Sequence, residues 1–310
     1  MRVVISEFMD APAVATLASR HDTQYDPQLV DRADALKAAV VDADAIIVRN
    51  RTQVDAELIA LAQRLKVVGR LGVGLDNIDV ATCTRRGIDV IAATGANALA
   101  VAEYVIGVAM LLLRGAYGAT ADVAAGRWPR AALSGGRELA GKTLGIVGFG
   151  GIGRLTARLA RGLSMRVIGF DAQLRDSDDA WRDEHVEPST LDQVLTRADV
   201  VTLHVPLLPA TRHLIDAHRI ALMKPDAILI NTARGGVVDE RAVANALRAG
   251  RLGGAALDVF ENEPLAAGSP LADCPNLMLT PHIAGVTSES NERVSAMIAE
   301  RVIASLARTG

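Results

Sequence analysis

Aromatic residues are scarce: two Trp, three Tyr and four Phe make up 3% of 310 residues. A core must then be filled by Ala, Val, Leu and Ile, as in sheets packed between helices, and half of the chain is apolar. Cysteine is scarcer still. Cys83 and Cys274 stand far apart and form no Cys-x-x-Cys pair. That excludes a disulfide framework and a cysteine zinc site, so no metal is expected, and it fits a reducing compartment. Net charge is −3 with no block of like charge, which argues for neither nucleic acid nor a membrane surface. The opening MRVVISEF places Glu7 where a signal peptide needs an apolar run. The most apolar stretch, 98–113, contains Glu103 and falls short of the roughly 20 apolar residues of a membrane span. It reads as a buried helix at a domain or subunit interface. These absences predict a soluble, cytoplasmic protein.

What is present is rhythm. VVI (3–5), AIIV (45–48), KVVG (66–69) and IDVI (88–91) read as strands with alanine-rich, helix-periodic segments between them. A second series follows: TLGIVGFG (143–150), RVIGFDA (166–172), VVTLHVP (200–206), AILINTA (227–233), AALDVF (255–260) and LMLTPHI (277–283). Alternation of this kind implies α/β architecture with parallel sheets covered on both faces. The Gly/Ala-rich stretch 118–142 reads as a wandering connection between two domains. Residues 288–308 read as one helix with no strand after it to serve.

One motif carries a mechanism. Gly148, Gly150 and Gly153 have G-x-G-x-x-G spacing, directly after a strand and opening an amphipathic helix. Asp171 ends the next strand 18 residues beyond Gly153, close to the ~20 of a dinucleotide fold. The glycines allow a tight turn, a pyrophosphate against the backbone and close helix–strand packing. The helix N-terminus favours phosphate. Asp171 can accept both ribose hydroxyls and would repel a 2′-phosphate, so NAD is expected rather than NADP.

Ligands of doubly wound sheets sit beyond the carboxyl ends of the strands. The residues there are Asp171, His204, Thr232, Ala233, Arg234, Asp258, Glu263 and His282. Arg234 follows a buried strand among small neighbours that leave room for a ligand. His204 and His282 each end a strand beside a proline, and either suits a proton carrier near neutral pH. Glu263 is a plausible carboxylate partner for such a histidine. Spacing alone leaves the choice of histidine open.

The chain resembles the D-isomer-specific 2-hydroxyacid dehydrogenase family along essentially its whole length. The segments are RLGVGLDNID (70–79), NALAVAE (97–103), GIVGFGGIG (145–153), HVPLLPATRHLI (204–215), NTARGGVVDE (231–240), ALDVFENEP (256–264) and TPHIAG (280–285). The resemblance implies a Rossmann NAD-binding domain, 98–284, inserted into a flavodoxin-like substrate domain, 1–97 with 285–310. It implies hydride transfer between C2 of a 2-hydroxy acid and the nicotinamide. It makes His282 the proton carrier, Glu263 its partner and Arg234 the group on the substrate carboxylate. Asp258 would receive the carboxamide, Gly151 and Ile152 would lie against the pyrophosphate, and His204, Val205 and Pro206 would pass beside the nucleotide. Thr232, Ala233 and Gly285 are counted on the cofactor side. A homodimer through the inserted domain, including the region of Trp128, is implied too.

Substrate identity rests on the first domain. Val73 and Gly74, beside Gly72, would meet the substrate carboxylate, with Asn97 nearby. Arg49, Arg51 and Arg70 lie at strand ends and would form a second anion site, suited to a sulfonate or phosphate on C3. VGRLGVGLDN resembles phosphoglycerate dehydrogenases of the family, and ISEFMD, VRNRT and SNERVS resemble its sulfolactate dehydrogenases more closely. The alternatives are a small monocarboxylate such as glyoxylate, hydroxypyruvate or pyruvate, and an NAD-sensing corepressor. Glu263 argues against the formate dehydrogenase branch, which pairs its histidine with glutamine.

Overall fold

Twelve short strands fall into two parallel sheets in the computed structural model, which describes residues 1–309. The chain divides into two compact units, Met1–Asn97 with Val286–Gly310, and Ala98–Gly285. Gly285, expected in the first unit, belongs to the second; Gly310 lies outside the described residues.

The first unit is built on β1 (Arg2–Ile5), β2 (Asp22–Tyr25), β3 (Ala45–Val48), β4 (Val67–Arg70) and β5 (Asp89–Ala92), ordered β2-β1-β3-β4-β5. That is the flavodoxin-like order. Its central strands are apolar on both faces because both are covered. Val4, Ile46 and Val68 face one core, while Val3, Ile5, Ile47 and Val67 face another. The second core is closed by the C-terminal helix, Ser288–Thr309, through Val294, Ile298, Val302 and Leu306. Each such side chain contributes about 1.5–3 kcal/mol on burial. Gly69 on β4 lets that helix come close: a Cβ there would stand 2.9 Å from Val302 Cγ2.

The second unit holds β6 (Thr143–Val147), β7 (Arg166–Phe170), β8 (Glu187–Pro188), β9 (Val200–Leu203), β10 (Ile228–Asn231), β11 (Gly254–Leu257) and β12 (Leu277–Leu279). The order β12-β11-β10-β9-β6-β7-β8 is the doubly wound dinucleotide-binding order with one further strand. Its topological switch point lies between β6 and β9, so a crevice opens at their carboxyl ends. The helix Ala98–Arg114 buries Val105, Ile106, Ala109 and Leu113 against Leu144, Ile146, Ile228 and Ile230. It is therefore a core helix of this unit. Among the described residues no single helix is long and apolar enough to cross a membrane. The stretch 118–142, expected as a connection between domains, falls inside the second unit and carries a short helix, Thr120–Ala124.

Candidate active site

The glycine-rich turn sits at the switch point and each glycine has a distinct reason. Gly148 has φ +96°, and a Cβ there would meet the His204 carbonyl oxygen at 2.5 Å. A Cβ on Gly153 would stand 2.4 Å from the Gly148 carbonyl oxygen, so the helix can approach only without one. Gly150 and Gly151 face open space, and the helix Gly151–Gly162 has no side-chain cap on its first turn. Its leading N–H groups, including that of Ile152, are thus presented where an anion can approach. Phe149 packs inward against Trp181, rings stacked at 4.3 Å, which anchors the turn from below. Asp171 ties the next strand end to this turn. Its Oδ2 accepts from the Phe149 N–H at 2.7 Å and its Oδ1 from the Gln173 N–H at 2.8 Å, leaving each oxygen further lone pairs.

Across the switch point the strand ends supply the remaining groups. His204 follows β9, and its Nε2 lies 3.1 Å from the buried Thr202 hydroxyl. Burial pushes its pKa down to about 4, so the ring is neutral at pH 7. Beside it, Val205 packs against the core and Pro206 leads toward the 209–213 turn. After β10, Asn231 holds the next turn from both sides. Its Oδ1 accepts from the Ala233 N–H and its Nδ2 donates to the Arg234 carbonyl, both at 3.0 Å. Thr232 Oγ1 is buried without a hydrogen-bond partner among the described residues, a donor and acceptor waiting for a ligand. Arg234 is half-buried, and its Nη1 donates to the Ala233 carbonyl at 2.7 Å. Gly235 is obligatory, because a Cβ would collide with the Phe260 carbonyl oxygen at 1.7 Å.

His282 and Glu263 do meet. His282 Nδ1 lies 2.8 Å from Glu263 Oε2, while Glu263 Oε1 accepts from the Phe260 N–H at 3.0 Å. One carboxylate oxygen is fixed by backbone and the other fixes the imidazole, which leaves Nε2 facing outward to exchange a proton. His282 has φ +55°, and its backbone N–H donates to the Asp258 carbonyl. Asp258, expected to receive the carboxamide, also has a structural task. Its carboxylate is taken up by the 280–284 turn, accepting from the Thr280 hydroxyl at 2.5 Å and from the Ile283 and Ala284 N–H groups at 2.8 Å. It orders the turn that carries His282 and leads to Gly285. Asn231, Thr280 and Gly235 were not singled out in the sequence, although an Asn closing a buried strand could have been.

In the first unit the three arginines part company. Glu7, 4% exposed, lies beneath residues 49–52 and accepts from the N–H groups of Arg49, Thr52, Arg51 and Asn50 at 2.9, 3.0, 3.1 and 3.4 Å. Burial alone would push its pKa up, but these donors outweigh that and hold it below the usual range. Arg49 Nη2 donates to Asn291 Oδ1 at 2.9 Å, and the guanidinium sits over the Phe8 ring. Arg51 was expected beside it. It instead forms an exposed salt bridge with Asp31. Arg70 ends β4, whose register places it opposite Val48, the residue before Arg49. Its guanidinium folds back over Gly72, where a Cβ would lie 1.9 Å from Nη1. Val73 is exposed, and Gly74 and Asn97 are half-buried. Among the described residues no cluster of metal-ligating side chains occurs.

A dinucleotide crevice with an ordered His–carboxylate pair and a strand-end arginine defines a nicotinamide-dependent oxidoreductase. The open glycine turn, Asp171 and the waiting Thr232 hydroxyl all fit NAD. Residues 106–284 match the family model described as D-isomer specific 2-hydroxyacid dehydrogenase, NAD binding domain. The chain is 53% identical over 301 residues to the (S)-sulfolactate dehydrogenase of Chromohalobacter salexigens, covering 97% of this chain and 96% of that protein. It is 41% identical over 270 residues to the D-3-phosphoglycerate dehydrogenase of Methanocaldococcus jannaschii, covering 87% of this chain but about half, 51%, of that longer protein. A crystal structure of a Thermus thermophilus protein superposes with a TM-score of 0.89 at 34% identity, covering 99% of this chain and 97% of the other. The chain belongs to the D-isomer specific 2-hydroxyacid dehydrogenase family. It is an NAD-dependent oxidoreductase acting on a 2-hydroxy or 2-keto acid.

Proposed function

We propose that the substrate carries a second anionic group on C3, with 3-sulfolactate first and 3-phosphoglycerate second. Arg49 carries this reading. It is half-buried; burial pulls its pKa below the ordinary value, and the Glu7 carboxylate works in the opposite direction. The partners around it are neutral, the Asn291 carbonyl and the Phe8 ring, and the nearby Glu7 carboxylate is occupied by four backbone donors. A half-buried cation whose direct contacts are neutral keeps donors to offer an anionic ligand. Phe8, Arg49 and Asn291 come from the three segments that resemble sulfolactate dehydrogenases, and the 53%-identical relative bears that name. In this reading Arg49 and Arg70 take the sulfonate or phosphate. Val73 and Gly74 backbone N–H groups, with Asn97, take the carboxylate.

Arg234 binds that carboxylate bidentately and polarises the C2 oxygen. His282 Nε2 takes the hydroxyl proton in oxidation and returns it in reduction, while Glu263 keeps the tautomer and stabilises the imidazolium. NAD, when bound, supplies or accepts the hydride. Gly148, Gly150, Gly151, Ile152 and Gly153 would hold its pyrophosphate, Asp171 its ribose, and Thr232, Ala233 and Gly285 its nicotinamide end, with His204, Val205 and Pro206 as the wall beside the nucleotide. We assign the enzyme to the cytoplasm and to a homodimer formed through the second unit, where Trp128 is 76% exposed and Tyr117 and Val123 are exposed too.

The test is steady-state NAD reduction with 3-sulfolactate, 3-phosphoglycerate, D-lactate, D-glycerate and malate. One dianionic acid should lead kcat/KM by about a hundredfold, roughly 2.7 kcal/mol. Arg49→Ala should raise KM for that acid far more than for D-lactate. Equal effects on both, or turnover of monocarboxylates only, refute the second anion site. NAD binding with no turnover at all favours the binding-protein reading.

A further inference from the structure

Asp258 lies one residue beyond β11 and is 1% exposed. Four hydrogen bonds join it to the turn that carries His282: three to its carboxylate, from Thr280, Ile283 and Ala284, and one to its carbonyl, from His282 itself. The Thr280 hydroxyl has a single proton, and that proton goes to Asp258. The 2.6 Å contact between the Thr280 and Tyr104 hydroxyls is therefore donated by Tyr104. Burial holds the Tyr104 phenol above its ordinary pKa, so the donor keeps its proton at neutral pH.

The result is a directed chain. It starts on the helix Ala98–Arg114, passes through two hydroxyls to a buried carboxylate, and ends on the backbone N–H groups of the two residues after His282. That backbone needs holding. His282 adopts the left-handed conformation, which costs a non-glycine residue about 1 kcal/mol or more and persists only where the surroundings over-determine it. Without a rigid turn the imidazole would lose its alignment with Glu263.

We infer that Tyr104 and Thr280 are positioning residues for the proton transfer: their hydroxyls orient the Asp258 carboxylate, which sets the 280–284 turn and with it the His282 ring. This rests on the reading of His282 as the proton carrier. Tyr104 lies 178 residues from His282 in the chain, and no motif joins them.

Removing one hydroxyl at a time leaves the fold intact and separates positioning from packing. Tyr104→Phe, Thr280→Val, Thr280→Ser and His282→Gln are assayed with whichever acid of the panel gives the highest kcat/KM, in H2O and in D2O. NADH binding is followed by quenching of protein fluorescence. Thr280→Val should lower kcat by about tenfold to a hundredfold, and Tyr104→Phe by about threefold to tenfold, as the proton carrier drifts from alignment. In both the solvent isotope effect on kcat should rise, because proton transfer becomes more limiting. The Kd for NADH should stay within about twofold, and Thr280→Ser, which keeps the donor, should recover most of the rate. Loss of active protein alone would lower kcat without moving the isotope effect, and that outcome overturns the inference. So does parental kcat in Tyr104→Phe and Thr280→Val while His282→Gln is inactive, which leaves the proton-carrier reading standing. Parental turnover in His282→Gln overturns that reading and this inference with it.

Discussion

His204 gives the fold a built-in acid sensitivity whose size follows from one number. Burial pushes its pKa down to about 4, against about 6.5 for an exposed imidazole. Above pH 6.5 the ring is neutral in both folded and unfolded chains and contributes nothing to the pH dependence. As pH falls below 6.5 the unfolded chain binds a proton that the folded chain refuses, so stability is lost, and the loss levels off only below pH 4. Between pH 7 and pH 5 the difference amounts to about 2 kcal/mol, and the full shift would give about 3 kcal/mol. His204→Gln keeps a polar atom near the buried Thr202 hydroxyl and removes the titration. Urea denaturation of the apoenzyme at pH 7, 6 and 5 should show the parent losing about 2 kcal/mol more than the variant over that range. Equal losses would refute the argument, and an NMR titration placing His204 near pH 6.5 would show why.

Glu263→Gln should lower kcat by about tenfold to a hundredfold with NADH affinity unchanged, since it removes only the charge that stabilises the imidazolium. Asp171→Ala should raise KM for NAD by about tenfold and narrow the preference over NADP, with little change in kcat. Coenzyme titrations of the two variants would check both. Gly153→Ala forces a Cβ to within 2.4 Å of the Gly148 carbonyl oxygen. The helix must retreat, and loss of about 2 kcal/mol of stability together with NADH binding is expected; a variant that melts and binds like the parent would contradict the packing argument.

The strands that sequence made legible are those buried on both faces, such as AIIV and TLGIV, where apolar runs leave no ambiguity. The two it did not show are β2, with the sequence DTQY, and the two-residue β8, both polar and at sheet edges with no covered face to demand an apolar run. The site divides in the same way. The glycine turn and Asp171 were readable because their spacing along the chain is their function. His282 and His204 were indistinguishable by local pattern, since both end strands beside proline. What separates them is a carboxylate 19 residues away for one and burial for the other. Arg49 and Arg51 sit two residues apart in VRNRT, yet Asp31 neutralises one and Asn291, 242 residues distant, holds the other. Contacts of that range leave no mark in a single sequence.

A common construction underlies these loops. Each functional side chain stands on a turn just past a strand, and each turn is tied down by a buried acceptor that never needs to touch substrate. Glu7 gathers the backbone of 49–52 under Arg49, Asn231 grips 231–234 under Arg234, and Asp258 wraps 280–284 around His282. Backbone N–H groups on a buried carboxylate make charge-assisted bonds, and losing one leaves a polar group stranded at a cost of about 1–3 kcal/mol. The turns are therefore stiff even though they are irregular. Stiffness there is what the reaction requires, because hydride and proton move only when donor, acceptor and carboxylate clamp are aligned together.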